Sequence, residues 1–321
     1  MDALARSTRN LLTALPIDRS ASFRDAAGEG AHAEEWPAAL WIWLNARGQV
    51  LIDVATQSLD GRAASASQPG AAVIHLGRHQ DRLVMAQELE ADAAEALQQA
   101  RPGTRWVDLR MAALGLPSVQ AGLAAYARAL CYWHSRHRYC GACGATTRVL
   151  QGGHRLRCTR AECGLEHFPR IDPAIIVRVE YEGQILLGRQ PGWPPRRYSV
   201  LAGFVEPGES LEDALRREVH EESGILVDAC EYHSSQPWPF PSSLMLGYSA
   251  RTSDPTLKLG EELEDARWFT PESLLAAVLA GEIVVPPILS LSAQLIHDWY
   301  QQRTGADFGV DSAAATRHWA R

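Results

Sequence analysis

The stretch Gly203–Ile225, GFVEPGESLEDALRREVHEESGI, constrains this chain more than any other. Ser210 stands where an N-cap side chain is wanted, Asp213 follows three residues on, and Gly224 fits a left-handed stop. The spacing predicts a helix of about three turns over Leu211–Glu222. At about 100° per residue, Leu211, Leu215, Glu218 and Glu222 share one stripe, whereas Asp213, Arg216 and His220 lie on the opposite face. The side that should pack inward therefore turns from leucine to carboxylate in its last two turns, with Glu221 flanking it. A carboxylate aimed into protein needs a counter-charge. A solvated acidic helix would carry its glutamates away from its leucines, and this one does not.

Oxygen ligands clustered without thiolate or imidazole suit Mg²⁺ or Mn²⁺, cations that keep several waters and share their remaining positions with substrate phosphates. Gly203, five residues, Glu209, seven residues, Arg217-Glu218, then Glu221, Glu222 and Gly224 match the Nudix box at every defining position. The chain thus resembles the Nudix hydrolases. That resemblance implies that Glu218, Glu221 and Glu222 hold metals and activate water, that Glu209 sits near them and that Arg217 orients the carboxylates. It also implies a substrate made of a nucleoside diphosphate linked to another group.

A length of 321 residues suggests two or three domains, and 46% hydrophobic with 21% charged residues is ordinary globular composition. No apolar run approaches the ~20 residues that span a bilayer, and residues 1–20 lack the apolar core and cleavage site of a secretory signal. The expectation is a soluble cytoplasmic protein with no membrane partner. A net charge of −7 disfavours a dedicated nucleic-acid binder, because that affinity comes from Lys and Arg neutralising phosphates. Between Arg136 and Arg170, however, seven arginines stand against two glutamates, a local +5 that could draw a nucleotide or short RNA.

The same basic segment holds Cys140 and Cys143 with two residues between them, then Cys158 after fourteen and Cys163 after four more. Two Cys pairs at such separations predict a tetrahedral Cys₄ zinc site, structural because sulfur fills every ligand position. Disulfides are the rival, disfavoured in a cytoplasmic chain. Cys131 and Cys230 are left over as buried thiols. Upstream, residues 38–54 predict two strands joined around Asn45–Gly48, residues 71–77 and 81–86 two more, and Leu89–Ala100 and Val119–His137 helices. Ser58–Gly70 reads as loop, and residues 1–35 give little periodic signal. Leu291–Tyr300 is expected to be the terminal helix, with the chain beyond Gln301 loose.

Ser235–Ser243, SQPWPFPSS, alternates Pro237, Pro239 and Pro241 with Trp238 and Phe240. Fixing φ at alternate residues predicts a rigid extended segment. Its aromatics either pack into core or form a platform for flat heteroaromatic rings. The succession of Cys₄ ribbon, box and SQPWPFP resembles one Nudix branch, the NAD(H) pyrophosphatases or NAD-capped RNA hydrolases, over roughly residues 120–300. The resemblance implies an α+β protein whose Nudix α/β/α sandwich has a mixed sheet and follows a small α/β N-terminal domain and a zinc ribbon. The expected divisions are 1–130, 131–168 and 169–301, with a tail over 302–321.

By the same resemblance, nucleotide contacts would come from Phe168, Ala202, Gln236, Pro237, Trp238, Pro239, Phe240, Pro241, Ser242, Ser243 and Ser292, with Phe204 and Trp238 sandwiching the nicotinamide. Magnesium or manganese would be held by the Ala202 carbonyl with Glu218, Glu221, Glu222 and Glu262, and either Glu221 or Glu222 would be the general base. A homodimer with shared active sites would cleave NADH or NAD⁺ to nicotinamide mononucleotide and AMP and remove NAD caps from RNA. Two positions depart from the family. Phe168 replaces its tyrosine, and the second cysteine pair is spaced by four residues instead of two. A broader hydrolase of ADP-ribose or diadenosine polyphosphates shares the box but gives no reason for SQPWPFP. A nucleic-acid-binding module without catalysis gives no reason for an intact carboxylate set.

Overall fold

A computed structural model of the chain describes residues 2–13, 16–19, 33–63 and 72–312. It forms two compact units: Leu12–Ile171 with Trp238–Ser242, and Met1–Leu11 with Asp172–Pro237 and Ser243–Arg321.

In the first unit, β1 (Leu40–Asn45) and β2 (Gln49–Asp53) form the expected hairpin. Its turn closes because the Asn45 side-chain oxygen accepts from the N–H groups of Arg47 and Gln49, while Gly48 takes φ +68°. With β3 (Ser58–Leu59), β4 (Ile74–His79), β5 (Arg82–Leu89) and β6 (Thr104–Asp108) they make a mixed sheet ordered β3-β2-β1-β5-β4, with β6 on β2. Strand β6 was not foreseen. The Ser58–Gly70 loop begins as β3, and residues 64–71 lie outside those described. Trp41, Trp43, Met85 and Leu89 pack on the Ala91–Gln99 helix through Ala93, Ala94 and Leu97. The Ser118–Arg136 helix buries Leu123, Ala127 and Leu130, as its period requires. Cys131 is buried in this helix, whereas Cys230 of the other unit is half-buried. The ribbon follows as a three-stranded antiparallel sheet of β7 (Thr147–Leu150), β8 (Arg155–Cys158) and β9 (Glu166–His167).

The second unit is built on β10 (Asp172–Tyr181), hydrogen-bonded to β11 (Gln184–Arg189) and β12 (Leu201–Phe204), in a sheet ordered β13-β14-β10-β11-β15. Here β13 is Ala229–Trp238, β14 Ser243–Arg251 and β15 Asp265–Phe269. Strand β14 runs parallel to β10 from Asp172↔Ser243 to Glu180↔Arg251. Alternate β10 side chains point to opposite faces, and both faces are covered. Ile175, Val177 and Val179 meet the Leu211–Ser223 helix, and Ile176 meets the Pro271–Leu279 and Leu291–Thr304 helices. A mixed sheet between helical layers is the expected α+β sandwich.

Three local expectations are corrected. The chain beyond Gln301 continues as helix to Thr304, and a Phe308–Asp311 turn of helix buries Phe308 against Tyr300 and His297. Residues 3–9 are helical and strap the sheet edge: Arg6 donates to the His233 carbonyl (2.8 Å), Asn10 to the Ser235 carbonyl (2.9 Å), and Arg9 pairs with Asp298 (2.6 Å). Strand β13 is the edge they cover. Finally, SQPWPFP is extended only in its first half: Ser235–Trp238 ends β13, and residues 239–242 turn into β14. The Phe240 N–H, a donor the prolines lack, returns to the Trp238 carbonyl at 2.8 Å and brings the two rings edge to face, 5.1 Å apart. The Phe240 ring takes the guanidinium groups of Arg110 and Arg128 at 4.1 and 5.0 Å, and so is held by cations and not by apolar core.

Candidate functional site

The Leu211–Ser223 helix starts on the foreseen capping box, Ser210 with Asp213, and ends at Gly224 with φ 74°. Leu215, Val219 and Glu222 are buried, while Asp213, Arg216 and His220 are exposed. The stripe read from the sequence is therefore real, and it carries a carboxylate into the protein. Glu222 is 3% exposed, and among the described residues its Oε2 has no hydrogen-bond partner. Burial first, then the charges of Glu218 and Glu262, push its carboxyl up to about 8. Burial also raises Glu218, although Arg217 Nη1 stands 2.9 Å from it.

Arg217 gathers the remaining box residues. Its Nε and Nη2 clasp both oxygens of Glu209 at 2.6 and 3.0 Å, Nη1 reaches Glu221 at 3.1 Å, and Nη2 also donates to the Phe204 carbonyl at 3.0 Å. That clasp, with the Glu206 N–H, holds Glu209 down to about 2. Gly203 has a different task. A Cβ there would lie 1.9 Å from the Glu218 carboxyl carbon, so only glycine lets β12 run this close to it. Gly203→Ala should leave the melting temperature almost unchanged, since the obstacle is the end of a flexible side chain. It should lower turnover about 100-fold by displacing Glu218, which steady-state kinetics beside a melting curve would check.

Sequence reasoning missed how Glu262 is brought in. Lys258 and Gly260 donate backbone N–H groups to the carbonyls of Ser223 and Glu222 (2.8 and 3.0 Å), docking this loop on the helix end. A Cβ at Gly260 would sit 2.1 Å from the Glu221 carbonyl oxygen. The available signal was a glycine directly before Glu261-Glu262. Oxygen donors alone, one of them buried and unpartnered, fit a hard divalent cation. Among the described residues, only the four cysteines bring three or more ligand atoms within 4.8 Å of one another, so the glutamates are the looser set.

Cys143 and Cys158 sulfurs lie 3.4 Å apart and Cys140 and Cys163 3.8 Å, close to the ~3.8 Å edge of a tetrahedron with 2.3 Å zinc–sulfur bonds. All six cysteines are free thiols, which removes the disulfide reading. The longer second pair is absorbed by a turn in which Cys163 and Gly164 donate to the Arg160 carbonyl.

Gln236 is wholly buried; its amide group donates to the Leu11 and Leu289 carbonyls (2.9 and 2.7 Å) and its oxygen accepts from the Leu291 N–H (2.8 Å). Ser292 is buried too, 2.8 Å from the Ser199 hydroxyl. Both side chains serve the protein's own framework. Phe204 is exposed at the end of β12, next to half-buried Ala202, and Ser243 opens β14 after the exposed Pro237 and Pro241. Phe168, exposed, and Trp238, Pro239, Phe240 and Ser242, at least partly buried, belong to the first unit.

Residues 169–286 match the NUDIX domain, 135–168 the NADH pyrophosphatase zinc ribbon domain, and 39–133 the NADH pyrophosphatase-like rudimentary NUDIX domain. A Deinococcus radiodurans protein described as NAD-capped RNA hydrolase NudC is 36% identical over 88% of this chain and 94% of its own length. The chain belongs to the Nudix hydrolase family. Human NAD-capped RNA hydrolase NUDT12 is 41% identical over 64% of this Nudix chain and 48% of its own, and the Stutzerimonas stutzeri NudC 39% over 64% and 71%. This Nudix chain thus spans about half the length of the NUDT12 relatives it matches. A solved Nudix hydrolase from Nitrosomonas europaea aligns over 53% of it and 94% of its own chain, with 21% identity and a TM-score of 0.44. In this Nudix protein the match to the NUDIX domain stops at residue 286, short of Leu291 and Ser292. No helix among the described residues is long and apolar enough to cross a membrane.

Proposed function

We propose that this chain hydrolyses the pyrophosphate of NADH or NAD⁺ to nicotinamide mononucleotide and AMP, and cleaves the same bond in the cap of NAD-capped RNA, releasing nicotinamide mononucleotide and leaving a 5′-monophosphate. One observation carries the reading: Glu222, buried with an unpartnered oxygen beside Glu218 on the box helix. Glu218, Glu221, Glu222 and Glu262, with the Ala202 carbonyl, would hold Mg²⁺ or Mn²⁺. When bound, such cations neutralise the pyrophosphate oxygens and make water a nucleophile near neutral pH. Arg217 fixes Glu209, Glu218 and Glu221 by its hydrogen bonds and ion pair. Glu221 or Glu222 takes a proton from the attacking water, whose oxygen joins one phosphorus as the bridging P–O bond breaks toward the other phosphate. The four cysteines hold a structural zinc.

The NAD substrate is supported by the match to NADH pyrophosphatase segments and by the names of the relatives. The reading includes a cytoplasmic location and a homodimer, the latter checked by light scattering. Its test is hydrolysis of NADH, ADP-ribose and NAD-capped RNA with Mg²⁺ or Mn²⁺. Equal efficiency on NADH and ADP-ribose would withdraw the NAD reading in favour of a broader nucleoside-diphosphate hydrolase.

Trp238 gives a finer test. If it stacks on nicotinamide, Trp238→Ala should lower kcat/KM for NADH by ~1–3 kcal/mol in transition-state terms, about 5- to 150-fold, and leave ADP-ribose nearly untouched. A parallel loss on both substrates would remove nicotinamide recognition from this residue.

A further inference from the structure

Strand β10 passes Gly203 and Phe204 at Ala174 and Ile175 and ends about 20 Å further on, where Glu180 lies six positions along. At that far end a cavity of about 280 Å³ opens among Arg6, Arg178, Arg251, Arg303, Glu180 and Glu231. The arginines come from four separate elements: the N-terminal helix, β10, β14 and the Leu291–Thr304 helix. Their convergence is therefore a product of the fold.

Arg178 is the informative member. Its side chain is 5% exposed, yet Nη1 and Nη2 reach the Leu295 carbonyl and the Gln302 amide oxygen only at 3.4 and 3.3 Å. Its Nε is 2.9 Å from Glu180 Oε1 without hydrogen-bond alignment. Glu180 is also the partner of Arg303, so two guanidinium groups lean on one carboxylate. Arg251 lies opposite Glu180 in the strand register, and among the described residues it pairs with no carboxylate. Arg6 enters from the strap and donates to the carbonyls of His233 and Tyr232. Four arginines thus stand against two glutamates, with one guanidinium buried and loosely bonded. A buried cation in that condition calls for an anion, and the planar forks of arginine fit phosphate oxygens in pairs.

We propose that this cavity is a binding site for a small phosphate group, either free phosphate or a phosphomonoester, separate from the carboxylate site on the box helix. In buffer without divalent cations the clustered glutamates repel anions, so phosphate binding reports on the cavity. Isothermal titration of the zinc-bound protein with inorganic phosphate, at constant ionic strength in chloride, should give saturable one-to-one binding. Arg251→Gln and Arg303→Gln, both exposed positions, should each weaken it about tenfold while melting and NADH turnover with Mg²⁺ stay as in wild type. A parallel titration with AMP separates the sources: tighter binding than phosphate assigns a nucleotide, equal binding the phosphate group alone. Absence of saturable binding, or unchanged affinity in both folded variants, overturns the site.

Discussion

Glu222→Gln should lower kcat on NADH by about 10³-fold and, in the absence of divalent metal, make the protein more stable at neutral pH. Both effects follow from one buried oxygen. Glu222 lies at the inner end of the box helix with Oε2 unpartnered and Glu218 and Glu262 near enough to repel its charge. Its folded carboxyl is raised to about 8, above the ordinary glutamate range of about 4.3. The unfolded chain therefore ionises first, and metal-free stability is greatest at low pH and falls as pH rises from that range to about 8. Glutamine keeps the shape and removes the charge, so the variant should lose this slope. Divalent cation reverses the order, because wild type gains stability from binding and the variant gains little. Melting curves from about pH 5 to about pH 9, with and without Mg²⁺, distinguish this from a merely structural role. A variant that turns over like wild type, or that melts lower than wild type in metal-free buffer at neutral pH, would remove Glu222 from the centre of the site.

The box helix was legible because everything that defines it is local. Its caps, its period and the change from leucine to glutamate fall within Ser210–Gly224, and tertiary packing had only to accept them. The ribbon was legible for a similar reason, since Cys140, Cys143, Cys158 and Cys163 lie within one short segment. What escaped depends on single residues meeting partners far along the chain. Asn10 bonds to a carbonyl 225 residues away, and no periodicity announces such a contact. Phe308 is one aromatic in one turn of helix, buried only because Tyr300 and His297 are waiting for it. In SQPWPFP the prolines fixed φ, but they did not disclose that Arg110 and Arg128 would cover the Phe240 ring. Glu262 was placed by resemblance alone. The bonds that dock its loop, from Lys258 and Gly260, are made by backbone, and Gly260 is the one trace of them in the sequence.

Cys158→Ser should abolish zinc binding and unfold the ribbon, an effect on stability far larger than on the chemical step. The ribbon cannot rely on a core. Of its large aliphatic side chains Leu156 is buried, whereas Val149 and Leu165 are exposed by 39% and 44%. Burying one leucine contributes about 1.5–3 kcal/mol, which is small beside the ~10–16 kcal/mol apparent binding energy of a structural zinc at neutral pH. Cys158 is a buried ligand, and burial pushes its thiol up to about 12, so only a cation would keep it as thiolate there. A serine hydroxyl does not become that ligand. Wild type should carry about one zinc per chain by elemental analysis, and the serine variant almost none, with new proteolytic cleavage confined to residues 138–168. Glu222 and its neighbours lie in the other unit, so kcat on NADH should fall less than the ribbon's protection does. Folded wild-type protein with intact activity and no zinc would end the metal reading of the ribbon.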